Sequence, residues 1–126
     1  MHREHEELMR REFFEQAQLA RTQAQTRSEF QYERLALTRA NYDDRWLAGP
    51  HAQEWAFLSA SYEDWQRDPK SMTVLMNNLD HIHAHHGKVF GLTDVRRRSL
   101  EQARDLVTID HTRAPAEHEH GVERGR

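Results

Sequence analysis

Glycine and proline punctuate this chain in very few places. Met1 to Ala48 contains neither. The first break is Gly49-Pro50, the next is Asp68-Pro69, and Gly87 and Gly91 bracket a third. Pro115 opens a polar end. The intervening segments carry apolar residues at helical spacing, so the punctuation predicts an all-α protein with a four-helix bundle-like domain. The expected helices are 3–47, 51–67, 69–86 and 93–109.

The third of these is the most sharply defined. Asp68 is a good N-cap and Pro69 then sits at N1, where its missing N–H costs nothing. Met72, Leu75, Met76 and Leu79 follow as an apolar stripe, with Ile82 at the edge of the same face, and Gly87 is a natural stop. Four histidines crowd the last two turns. At about 100° per residue, His83 and His86 fall on the apolar stripe as half-buried packing residues, while His81 and His85 form an i, i+4 pair on the opposite face. Two imidazoles so spaced reach one metal ion, although a structural zinc site needs four ligands and no HExxH motif is present. The plainer reading is a pair of solvated histidines, whose protonated form suits a helix C-terminus. Asp80 points elsewhere, and His51, Asp110 and His111 are more distant candidates.

The first segment reads as one long helix over residues 1–47, weakly packed across Arg21–Ser28. Two helices meeting near Thr26 to Ser28 is the alternative. Met9, Phe13, Ala17, Ala20 and Ala24 trace a narrow face, and a long helix with a thin stripe rarely stands alone. It is expected to be a docking arm on a compact domain of residues 48–113. In the second helix, Trp55, Leu58, Tyr62 and Trp65 make a regular seam, with Phe57 pointing away. Val89 and Phe90 are expected to plug the end of the bundle. In the last helix Thr93 is the expected N-cap. The segment 114–126 reads as a disordered tail. The expected core is Trp46, Trp55, Leu58, Tyr62, Trp65, Leu75, Met76, Leu79, Leu100 and Leu106.

Composition narrows the function classes. The 126 residues are 37% hydrophobic and 31% charged, polar for a globular domain, so the core is small or completed by a partner. The net charge of −3 does not favour nucleic acid or anionic membrane. The absence of cysteine excludes disulfides and cysteine zinc sites, and fits a cytoplasmic location. The N-terminus lacks a signal-peptide apolar core, and no run reaches transmembrane length. The excess of arginine over lysine, which occurs only at Lys70 and Lys88, suggests a GC-rich bacterial, phage or mobile-element genome. No phosphate loop, dinucleotide fingerprint or nucleophile elbow is present.

Three function classes follow. The first is a non-enzymatic helical adaptor or regulator without a cofactor. It docks on another protein or a second copy of itself through Met9, Phe13, Phe14, Leu19 and Phe30, so Phe13→Asp is expected to weaken association without unfolding. The second is a DNA-binding regulator. Residues 69–109 resemble a helix-turn-helix in outline, with Arg96, Arg97 and Arg98 in the first turn of the would-be recognition helix. The third is a protein binding zinc or another transition metal through His81 and His85.

Overall fold

The computed structural model describes the backbone of residues 1–86 and 92–123, and the side chains of 1–85 and 92–110. It contains five helices and, among the described residues, no strand: α1 (Arg3–Gln25), α2 (Glu29–Leu47), α3 (Ala52–Arg67), α4 (Pro69–His86) and α5 (Asp94–Glu123). The all-α, bundle-like architecture is as expected. The expected plug of Val89 and Phe90 lies outside the described residues. So do the side chains of the expected tail, 114–126, and the whole of residues 124–126.

The single long helix expected over 1–47 is instead a hairpin of two. Thr26 leaves the helix with an extended backbone, and its N–H closes the last turn on the Thr22 carbonyl. Ser28 then caps α2, its hydroxyl accepting a hydrogen bond from the Gln31 N–H at 3.2 Å. The break lets α2 run back along α1. Glu12 of α1 thereby meets Arg45 and Trp46, and Glu15 meets Tyr42. Gln16 and Gln23 share the guanidinium of Arg39 at 3.0 and 2.7 Å. Those two glutamines are buried, so the polar middle that looked indifferent to burial is covered by a partner.

The remaining helix starts follow the sequence. Asp68 accepts from the Ser71 N–H and hydroxyl at 3.2 and 2.8 Å, and Thr93 Oγ1 accepts from the Arg96 N–H at 3.1 Å. The hydrogen bonds from Ser71 hold the exposed Asp68 carboxyl below its ordinary range.

α3 and α5 make the most extensive helix–helix contact. They run parallel: Glu54 pairs with Arg96 near their starts, and Tyr62 bonds Asp110 further along. α1 lies parallel to α5, because Arg10 reaches Ser99 and Gln102 while Arg21 reaches Asp110. Two apolar clusters result. The first joins Met9, Phe13 and Ala17 of α1 to Trp46, Trp55, Leu58 and Leu106. The second joins Trp65 to Met72 and Met76 of α4 and to Leu100, Ala103 and Val107 of α5, with Leu79 half-buried against it.

α1 is therefore part of the core and not an arm beside it. Met9 and Phe13, expected on a docking face, are fully buried. Phe13 meets Trp55 edge-on at 5.2 Å and Tyr62 at 5.7 Å. Trp46 and Trp55 stack with centroids 5.3 Å apart. Leu75, expected in the core, is exposed: it lies toward the outer edge of α4, beyond the Met72–Met76 stripe.

Candidate functional site

The expected partner-binding residues do not form one surface. Met9 and Phe13 are core, and Leu19 is half-buried. Phe14 and Leu19 diverge by roughly 140° around α1 at helical spacing. Phe30 is the most exposed of the set, at 68%. Leu37, two turns on, is equally exposed. At about 100° per residue the two fall roughly opposite Trp46, the only buried residue of α2. Phe30 is partly covered by its own helix, since the Arg34 guanidinium lies 5.7 Å from its ring centre.

A second apolar face was missed from sequence. α4 buries Met72 and Met76, and apolar residues continue around it: Leu75 and Ile82 stand exposed at the edge of that stripe and Val74 on the far side. Val74 is 58% exposed and Leu75 41%. The apolar surface of α4 thus extends well beyond its buried stripe, whereas a surface helix ordinarily hides one stripe and presents polar residues on the rest. The signal was in the sequence: Val74 lies opposite the Met72–Met76–Leu79 stripe, and Ile82 stands at its edge.

The histidines sit at the end of this face. His81 and His85 are exposed, with ring centroids 4.2 Å apart and planes inclined by 51°. His83, expected to be half-buried, is exposed, because among the described residues Leu79 is the last of α4 to join the second core. His86 lies outside the described side chains. Asp80 is drawn away to Arg97 of α5. Among the described residues no group of three or more histidine, cysteine, aspartate or glutamate side chains gathers at one point.

The arginines proposed for nucleic acid are occupied by the protein's own carboxylates. Arg96 pairs with Glu54 at 3.3 Å and lies over the Phe57 ring. That ring is half-buried against the second core and not the free outward surface expected. Arg97 pairs with Asp80 and with Glu101. Arg98 forms a two-pronged bond to Glu6, both distances 2.7 Å. Arg10 approaches the same carboxylate at 2.7 Å and bonds the Val95 carbonyl at 2.9 Å. The hydrogen bonds from Arg98, helped by those from Arg10, outweigh burial and hold the Glu6 carboxyl down at about 2. Glu6 in turn raises Arg98. The groove beside Met1, lined by Arg3, Glu6, Glu7, Arg10 and Arg98, thus has acids and bases that bond one another.

A further polar cluster ties α1, α3 and α5. Asp110 accepts from Arg21 at 2.7 and 3.0 Å and from the Tyr62 hydroxyl at 2.7 Å. Burial, then the bond to Asp110, push the Tyr62 phenol well above its ordinary range. These contacts lie half-buried between the three helices.

No helix among the described residues is long and apolar enough to cross a membrane. Comparison with protein families, with characterised proteins and with solved structures finds no match to this chain.

Proposed function

We propose that this chain is a non-enzymatic helical adaptor or regulator that docks on another protein or on a second copy of itself, and that the outward face of α4 is its contact surface. The observation that carries the reading is the exposed apolar surface of α4 beyond its buried stripe, formed by Val74, Leu75 and Ile82. Burying one such side chain is worth about 1.5–3 kcal/mol, so two or three of them can set an affinity. The exposed Phe30 and Leu37 of α2 offer a smaller, second point of contact. The nucleic-acid reading loses support because Arg96, Arg97 and Arg98 each already hold a carboxylate, which phosphate would have to displace.

The test uses tagged wild-type chain and a Val74→Asp/Ile82→Asp chain as baits in lysate of the source cell, with half of each treated with nuclease. A stoichiometric protein held by the wild type, lost by the variant and indifferent to nuclease is the expected result. Identical capture by both baits overturns the assignment of the face. Nucleic acid on the wild-type bait, with protein lost on nuclease treatment, overturns the adaptor reading in favour of DNA or RNA.

A further inference from the structure

His81 and His85 lie on the same side of α4 as Val74 and Asn78, one turn apart and beside Ile82. Their rings are close and inclined, not stacked flat, so both can turn a nitrogen toward one point. Neither ring is engaged by a hydrogen bond or ion pair from another described side chain. A histidine nitrogen binds zinc at about 2.0–2.1 Å, and i, i+4 histidines on one helix face are a recurrent chelating pair. The pair alone leaves a four-coordinate ion half-filled. No third ligand is at hand within the chain's described residues, since Asp80 is held by Arg97.

From Val74 to His85 this outward face carries no charged side chain: Val74, Leu75, Asn78 and Ile82 accompany the two histidines. The chain as a whole bears a net charge of −3, so two copies meet at least electrostatic cost where neither presents a charge. A two-fold axis through the ion would bring the same face of a second α4 against the first, with an identical pair of histidines completing the tetrahedron.

We propose that His81 and His85 form half of a divalent transition-metal site, of the class that zinc occupies, completed by the same pair from a second copy. The proposal rests on α4's outward face being a contact surface, and adds that the occupant is another copy bridged by metal.

The experiment is a titration of zinc ion into the full chain, followed by calorimetry and sedimentation velocity, with chelator added back at the end. The expected result is a dimer that forms with zinc, holds one ion per two chains and dissociates with chelator. His81→Ala/His85→Ala stays monomeric in zinc, whereas His83→Ala, altered at an exposed histidine off the pair, still dimerises. Acidification releases the ion, because protons compete for imidazole nitrogen. A chain that stays monomeric in zinc, one that takes up an ion per chain without dimerising, or equal dimerisation by the His81→Ala/His85→Ala variant overturns the proposal. The face and the metal are separable. If Val74→Asp/Ile82→Asp loses a protein partner in lysate while His81→Ala/His85→Ala keeps it and ignores zinc, the contact surface stands and the half-site falls.

Discussion

In the first core the polar tips of the aromatic residues all end on carboxylates. Trp46 donates to Glu12 and Trp55 to Asp43, each at 2.8 Å, and Tyr62 donates to Asp110 at 2.7 Å. In the second core the indole N–H of Trp65 is buried and has no partner among the described residues. Its neighbours are Met72 and Met76, flexible side chains that fill irregular space and specify it loosely. The first core is further braced by Glu6, Arg10 and Arg98 between α1 and α5, and by Arg39 between α1 and α2. Among the described residues the one ion pair between α4 and α5 is Arg97–Asp80, whose carboxylate is half-exposed. Aromatic rings with bonded tips fix a single arrangement, and a methionine seam allows several. The face proposed for a partner lies on the helix expected to be held less firmly.

The largest expected difference is in core truncation. Trp55→Ala removes a stacked and edge-on ring at once and should cost about 3–5 kcal/mol, read as a lowered denaturant midpoint. Met76→Ala should fall near the lower end of the 2–5 kcal/mol range, about 2 kcal/mol, because a thin seam under one helix can collapse. Hydrogen exchange in the wild type should show α4 amides opening before those of α1 and α3. Equal costs and equal protection would break the comparison.

Acid sharpens it next. Glu6 is held at about 2 when folded, against 4.5 as its ordinary value. A folded value below the unfolded one means the carboxylate stabilises the fold above about 4.5 and that the contribution fades as pH falls toward 2. Screening at the half-exposed Arg98 reduces the amount to about 1–3 kcal/mol. The wild type should lose that much stability between about pH 4.5 and 2. Glu6→Gln should start less stable and show a flatter profile over the same window. Matching profiles would remove Glu6 from the account.

The smallest effect isolates one hydrogen bond. Trp46→Phe and Trp65→Phe lose a similar volume, but only the first also loses a bond to a carboxylate. Trp46→Phe should cost about 0.5–1.5 kcal/mol more than Trp65→Phe, measured by urea melts. A reversed order would mean that the tips of the first core do not brace it.

Much of the fold was legible because local chemistry and tertiary packing agree. Asp68-Pro69 and Thr93 announce their helices through hydrogen bonds made within one turn. The seam of Trp55, Leu58, Tyr62 and Trp65 needed only helical spacing. The break at Thr26–Ser28 was harder: Ser28 caps its helix locally, but the contacts that favour a hairpin over one long helix are distant. Gln16 and Gln23 are polar and read as solvated until Arg39 arrives from the next helix. Met9 and Phe13 were visible as an apolar stripe, but an apolar stripe does not say whether its cover comes from within the chain or from outside. That ambiguity put the contact face on α1, and the same ambiguity assigned Leu75 and Ile82 to the buried stripe and passed over Val74. The partners of Arg96, Arg97 and Arg98 on α3, α4 and α1 were likewise invisible before the bundle was assembled.

The most direct test sets two substitutions side by side, Phe13→Asp and Val74→Asp, each followed by thermal melting with circular dichroism and by sedimentation velocity or partner binding. The account predicts that Phe13→Asp loses the cooperative melt, since a charge enters the ring cluster of Trp55 and Tyr62. Val74→Asp keeps the melt and loses association. A Phe13→Asp chain that melts like the wild type, beside a Val74→Asp chain that unfolds, would contradict it.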